Sequence, residues 1–429
     1  MENILEFLGI HYQPNIITTI GLLIALTFLG SKLFQRFGLP QVVGFIIMGV
    51  LLGTSFLNLV PLELTEDLTF ISEIALGLIG FDMGSHLRLD ELRKKGRSIL
   101  IILLFESLGT FLLVSTGIYF ITNSLHTALI FGALSSATAP AATVDVLAEY
   151  DAKGPLTTSL IAVVGLDDAF SLVLYCLAAA FAESALTGTG IPSFVQIIEM
   201  PVIEIGGSLI VGILAGFLLN EILRRMKSLH DSMAVSIGFV FLCVGLSEAL
   251  GFSLILTTMV MGFVVVNFDG ENGRCIRFTI EQAGPVIYVL FFALVGARFQ
   301  ISLLPTMGLL GIGYVVLRSA GKYIGAWVGG SVGKAEPQVK NNLGLGLLSQ
   351  AGVAIGLAIA SNNRFATLGP EGEALGALII TTITATTFIV QIFGPLGVKL
   401  AITKAGEVGM ANVDSSGWHS EGRPDGCDG

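Results

Sequence analysis

Charge is what this 429-residue chain has least of: only 13% of its residues are Asp, Glu, Lys or Arg, about half the share in a soluble globular domain. With 53% hydrophobic residues, that scarcity excludes a soluble fold and leaves a polytopic membrane protein. Short alternating segments are missing too, which excludes a β-barrel. The apolar runs are long, so the expected class is all-α. Tryptophan is down to 2 residues while glycine reaches 53, a balance that suits helices packing closely or breaking within a bilayer. The four cysteines are scattered, with Cys176 and Cys243 in apolar runs, Cys275 in a loop and Cys427 in the tail. No metal-ligand spacing links them, so neither a disulfide framework, a metal site nor a cofactor is expected. The N-terminal stretch MENILEFLGIHYQ has acids where a signal peptide needs basic residues, and no cleaved signal is expected. The net charge of −10 comes from loop acids and offers no footprint for nucleic acid.

What is present is a series of runs long enough to cross about 30 Å of hydrocarbon. They fall near 15–35, 40–60, 66–84, 97–122, 127–148, 156–182, 203–225, 232–250, 252–268, 281–297, 304–330, 340–361 and 372–398, about thirteen spans. Basic residues collect in loops on the cytoplasmic side of a membrane, and eighteen of the 22 Lys and Arg fall on one side of this arrangement. Arg298 and Arg364 lie on the other side, and Arg318 and Lys322 inside a span. The expectation is a multi-pass protein of the cell (inner) membrane, N-terminus outside and C-terminus cytoplasmic. An odd count leaves room for two inverted six-helix repeats around one linker span. The fifth span of each half carries helix breakers among polar residues, LSSATAPAATVDV (134–146) and SQAGVAIG (349–356). Unwound segments at matching places of two halves point to a midplane binding site. After Lys404 the tail is short, polar and Gly-rich, a composition that predicts disorder.

Ionisable residues inside a span cost roughly 2.5–3.5 kcal/mol each even on lenient scales, and so mark function. Residues 163–172, VVGLDDAFSL, hold two in a row, Asp167 and Asp168, in a stretch without Lys or Arg from Pro155 to Arg224. Successive helix residues point about 100° apart, so one acid can face a cation in the protein while the other faces a cavity. The fixed cation is Lys322 in RSAGKYIGAWVGG (318–330); a buried lysine beside a carboxylate can carry a proton. Arg318, four residues earlier, stays charged and is assigned a structural pairing role. The broken fifth span offers neutral oxygens on Ser135, Ser136 and Thr138, the ligands a dehydrated alkali ion needs beside a carboxylate. Of the other acids near spans, Glu73, Asp82, Glu106, Asp145, Glu204 and Glu248, Glu106 is singled out. Acids in GFD (80–82) and GLDD (165–168) also raise an intramembrane aspartyl protease, which the buried lysine and the basic loop after Asp82 disfavour. The chain is therefore not expected to be an enzyme.

Six stretches carry a resemblance that covers about residues 15–400: GLPQVVGFIIMGVLLG (38–53), GFDMGSHLRLDELRKKGR (80–97), ATAPAATVDVL (137–147), GLDDAF (165–170), GKYIGAW (321–327) and LGLLSQAGVAIGLA (345–358). Together they resemble the second family of monovalent cation:proton antiporters, which includes bacterial sodium/proton antiporters and Kef-type potassium systems. The resemblance implies thirteen helices in a homodimer, with two unwound crossing helices in a core that moves like an elevator against a scaffold. Scaffold helices would occupy 1–96 and 232–303, core helices 97–182 and 304–404, a linker helix 183–231 and a disordered tail 405–429. It implies that Asp168 binds the ion and the proton and that Asp167 pairs with Lys322. Asp-Asp with a lysine looks like the electrogenic type, two H+ per Na+, with Li+ as a further candidate ion; relatives with Asn-Asp are electroneutral. Two positions depart from the family pattern. Thr138-Ala139-Pro140 stands where electroneutral exchangers have Thr-Asp-Pro, and Gln350 stands where many relatives place an acid. A K+/H+ antiporter of the same fold and a sodium-coupled solute symporter remain the alternatives.

Overall fold

Hydrocarbon offers the backbone no hydrogen-bond partners, so a chain this apolar has to satisfy its own N–H and C=O groups within helices. The computed structural model describes residues 16–188, 193–226, 229–268, 272–299, 301, 305 and 308–413. Apart from short 3₁₀ turns, the regular elements among them are α-helices: α1 (Ile16–Arg36), α2 (Gln41–Leu52), α3 (Leu62–Asp67), α4 (Thr69–His86), α5 (Leu89–Thr122), α6 (Leu125–Ser136), α7 (Pro140–Glu149), α8 (Pro155–Thr187), α9 (Phe194–Leu223), α10 (Leu229–Leu250), α11 (Leu254–Phe268), α12 (Asn272–Ala297), α13 (Gly308–Val332), α14 (Pro337–Gly346), α15 (Gly352–Phe365), α16 (Pro370–Ala405) and α17 (Met410–Val413). Among the described residues, seven helical stretches are long and apolar enough to cross a membrane by length and composition; α2, α11 and the second half of α12 are shorter apolar helices.

Two spans are interrupted where the sequence places its breakers. Between α6 and α7 the backbone is extended at Ala137 and Ala139. Proline accounts for this: Pro140 opens α7, and the residue before a proline is pushed out of the helical region. Between α14 and α15 residues 347–351 leave the helix, with Ala351 at φ −154°. The two interruptions cross, since Ala139 N donates to Ser349 O at 3.0 Å. A glycine lets the second one pass: a Cβ on Gly394 of α16 would lie 2.6 Å from Ser349 Cα.

The helices that carry ionisable groups are drawn together by a stripe of small residues. On α13, Gly321, Gly325 and Gly329 lie against Thr110, Phe105, Glu106 and Ile102 of α5, and Gly333 just beyond its end meets Ser98. Without side chains between them the two backbones approach closely, as in small-xxx-small packing. Around this pair α6, α7, α8 and α14–α16 form one group of helices. A second group consists of α1, α2, α4 and α10–α12, with α9 packed on α11.

The two groups meet at the end that carries most of the basic residues and again where Phe299, just after α12, stacks on Phe388 of α16 at 3.5 Å. At the basic end one apolar cluster joins Val42 and Ile46 of α2 and Met83 of α4 to Val144 of α7 and Val164 of α8. Polar contacts reinforce it. Glu149, at the end of α7, accepts from Gln35 Nε2 and from Gln41 N, both at 2.7 Å, and Lys399 Nζ of α16 donates to Gly38 O at 2.5 Å. Toward the other end a separate cluster, with Phe131, Tyr175, Tyr314 and Phe365, draws its buried members from α5, α6, α8, α13, α15 and α16 and from Ala137 in the first interruption.

Part of the expected disordered tail is docked. Glu407 is buried, and its carboxylate accepts from Leu156 N, Thr157 N and Thr157 Oγ1, each at 2.7 Å, at the start of α8. Carboxylate charge there meets the unsatisfied N–H groups and positive dipole end of the helix that carries Asp167 and Asp168. Gly409 N and Ala411 N continue the contact to Tyr150 O and Asp151 O. Residues 414–429 lie outside the described residues.

Candidate functional site

Asp167 and Asp168 sit near the middle of α8, and the 100° between them separates their surroundings as the sequence predicts. Asp167 is fully buried and saturated. Its Oδ2 receives Lys322 Nζ at 2.9 Å and Thr138 Oγ1 at 2.5 Å, and its Oδ1 lies 2.9 Å from Ser107 Oγ. Asp168 is the opposite: both carboxylate oxygens are buried, and neither has a hydrogen-bond partner among the described residues. Leaving such a group unmatched is unfavourable.

Lys322 is shared between two acids. Its Nζ is 2.7 Å from Glu106 Oε2 and 2.9 Å from Asp167 Oδ2, all three side chains are wholly buried, and the third ammonium proton goes to Ser136 O. The sequence singled out Glu106 among the remaining acids but did not pair it. Ser107 closes the ring at 2.8 Å from Glu106 Oε1 and 2.9 Å from Asp167 Oδ1.

Two expected roles change. Ser136 does not turn its hydroxyl toward the acids: Ser136 Oγ donates back to Ala133 O at 2.7 Å, and Ser135 Oγ to Gly132 O at 2.6 Å, the usual outlet for a serine at a helix end. It is the main-chain carbonyl of Ser136 that meets Lys322. Arg318 pairs with no carboxylate among the described residues. Its guanidinium donates to Leu348 O at 2.5 Å, Ala137 O at 2.8 Å and Ser349 O at 3.0 Å, satisfying carbonyls that both interruptions release. Arginine has the fan of donors for this task; it holds the crossing together.

Gln350 acts at the same crossing. Its Nε2 donates to Leu134 O at 2.7 Å, and its amide also contacts Tyr314 Oη, which lies 3.2 Å from Oε1. The sequence reading missed Ser107 and Tyr314, a small hydroxyl and an aromatic residue unremarkable in apolar helices. Among the described residues, no group of three His, Cys, Asp or Glu is arranged to hold a resident metal ion.

A buried, bare carboxylate beside an acid–lysine–acid cluster, at the crossing of two interrupted helices, is the arrangement expected of a secondary transporter for a small cation. Residues 22–399 match the family described as sodium/hydrogen exchanger, transmembrane, and the chain belongs to that family. It is similar to a Na(+)/H(+) antiporter of Enterococcus hirae, 25% identical over 360 residues that cover 82% of this chain and 88% of that one. It is also similar to the high-affinity Na(+)/H(+) antiporter NhaS3 of Synechocystis, 24% identical over 405 residues, with 84% and 85% covered. Among solved structures, the sodium proton antiporter MjNhaP1 of Methanocaldococcus jannaschii at pH 8 superposes with a TM-score of 0.67 over 93% of this chain and 98% of that one, at 19% identity. A second structure of the same antiporter gives 0.73, with 95% and 98% covered, at 20% identity. These likenesses show a shared fold.

Proposed function

We propose that this protein exchanges Na+ for H+ through one site in which ion and proton compete for Asp168. The observation that carries the reading is the contrast within α8: Asp167 is occupied by Lys322, Thr138 and Ser107, while the buried oxygens of Asp168 have no partner among the described residues. A proton or a dehydrated cation satisfies that carboxylate, and one excludes the other. Thr138 Oγ1, held against Asp167 at the crossing, is the neutral oxygen this reading brings to the ion beside Asp168.

Two protons move against each Na+ in this reading. Ser107 Oγ has one proton yet stands within hydrogen-bond distance of two carboxyl oxygens, so the second contact needs a proton held by the cluster. With Asp168 protonated, Glu106, Asp167 and Lys322 then sum to zero. Sodium binding releases the proton on Asp168 and one from the cluster, either from a carboxyl or from Lys322, and the loaded site carries −1. Alternation between these states moves one net charge per cycle, worth about 2.3 kcal/mol per 100 mV. A resting potential, negative inside, then drives Na+ out of the cell.

Helices α5–α8 and α13–α16 form the moving core, and α1, α2, α4 and α10–α12 the scaffold through which two copies associate. With core and scaffold packed together at the basic, cytoplasmic end, the state described here is closed to the cytoplasm. The decisive variant is Asp168→Asn, which keeps size and polarity but removes the charge. In proteoliposomes with an imposed pH gradient it should give no Na+-dependent proton flux; wild-type flux would remove Asp168 from its role. Li+ and K+ added in turn to the wild type define the ion range, and a response to K+ alone would replace sodium in the assignment.

A further inference from the structure

The lipid-facing surface of the α5–α13 pair has a feature that ion exchange does not use. Along α5, the exposed residues change character within one turn: Arg93 and Arg97 continue on the same helical stripe into exposed Leu100, Leu104 and Leu108. The partner changes at the same level. Running antiparallel, α13 presents exposed Ile324, Trp327 and Val332, then Lys334 just beyond its end. The two transitions are in register because Gly333 packs against Ser98 and Gly329 against Ile102.

The cations at this rim are not spent on the protein. Lys95 is tied to Glu336 at 2.9 Å. Arg93, Lys94, Arg97 and Lys334 are exposed and have no ion-pair partner among the described residues, and Lys340 lies over the Trp327 ring at 5.6 Å. By contrast the exposed pair Arg224 and Arg225 after α9 is engaged: Arg224 donates to Phe268 O at 3.3 Å and Arg225 to Glu221 at 2.5 Å.

We propose that this rim binds the headgroup of an anionic phospholipid whose acyl chains lie along the apolar faces of α5 and α13. Charge complementarity selects the headgroup, since clustered Lys and Arg at the membrane boundary attract anionic lipid. The exposed leucines and Trp327 below it select a lipid over a free anion, and an indole at this depth suits the interfacial zone. Both helices carry site residues, Glu106 and Lys322, so the lipid contacts the elements that hold the ion site from their outer face. The inference depends on membrane embedding and not on the ion assignment.

The test uses the full chain in detergent, offered equal amounts of phosphatidylglycerol and phosphatidylcholine with the same acyl chains and read by native mass spectrometry. Each interfacial cation contributes about a fivefold change in partitioning, so the wild type should favour phosphatidylglycerol by at least about tenfold. The variant Arg93→Gln/Lys94→Gln/Arg97→Gln/Lys334→Gln should lose that preference, and Arg224→Gln/Arg225→Gln should keep it. Equal retention of the two lipids by the wild type, or an unchanged preference in the fourfold variant, would overturn the assignment. So would glycerol phosphate displacing the lipid at matched concentration, which would make the rim a plain anion site, or a change of oligomer mass alone, which would place a second copy on this face. A second measurement leaves the rim intact: with Trp418→Phe, Trp327 is the sole tryptophan, and brominated phosphatidylglycerol should quench it more than brominated phosphatidylcholine at equal mole fraction in vesicles. Equal quenching would overturn the proposal.

Discussion

In the proposed two-for-one exchange, Glu106 is the residue on which the number of protons turns. It shares Lys322 with Asp167 and shares Ser107 with it as well, and in this arrangement two buried acids face one lysine. Replacing it with glutamine keeps an acceptor toward Lys322 and supplies amide protons toward Ser107, so the ring can close without a carboxyl proton. The cluster then has one acid and one ammonium, and only Asp168 remains to exchange a proton. Glu106→Gln should therefore turn two-for-one exchange into one-for-one: Na+-driven proton flux persists while the transport current disappears. The pH dependence should change with it. Protons displaced on binding set the slope of ion affinity against pH by linkage, so the Na+ concentration for half-maximal flux should rise by up to about a hundredfold per unit fall in pH in the wild type and about tenfold in the variant. An unchanged current would make Lys322 itself the second carrier. At this scale the sequence was informative where charge stood against an apolar background, as at Asp167, Asp168, Lys322 and Glu106. It was silent on Ser107 and Tyr314, whose roles come from neighbours far away in the chain, and misleading on Ser136 and Arg318, because a side chain's type does not say whether backbone or side-chain partners claim it.

The ring exists only because two helices come close enough to build it. A Cβ on Gly325 would lie 2.6 Å from Phe105 O and 2.7 Å from Glu106 Cα, main-chain atoms that cannot turn aside. Gly325→Ala should push α13 off α5 at the level of the Lys322–Glu106 contact, lowering stability by about 1–3 kcal/mol, the usual range for overpacking, and reducing exchange. A thermal shift in detergent read beside vesicle flux checks both. Gly238→Ala, where added atoms meet nothing within 4 Å, serves as the control and should match the wild type. Elements were legible in the sequence to different degrees. The first interruption was visible through Pro140, whose ring forbids a continuous helix. The second was visible through the glycines of SQAGVAIG; what the local pattern could not reveal is Gly394 of another helix, which lets the broken segment pass. The docked stretch 406–413 was misread because its Gly and polar residues look like tail; what orders it is Glu407 reaching the start of α8.

In the proposed cycle the two groups of helices change their mutual position, and the contacts that such a movement would break are on view. Gln35, Gly38 and Gln41 of one group are gripped by Glu149 and Lys399 of the other, and the shared apolar cluster lies behind them. A rigid, closed core would make the unpartnered Asp168 reachable from one side alone, so transport requires this end to open. Tying it shut is therefore the strongest test of movement. In a chain whose native cysteines are replaced, Gln35→Cys with Glu149→Cys puts two thiols where side chains now touch, within reach of a short bifunctional thiosulfonate linker. Bridging them should abolish Na+-dependent proton flux in proportion to the fraction crosslinked, and reduction should restore it, whereas either single variant treated alike should keep its flux. Full flux through a quantitatively bridged protein would mean that the ion passes without relative motion of the two groups, and that the contacts at the basic end are fixed scaffolding.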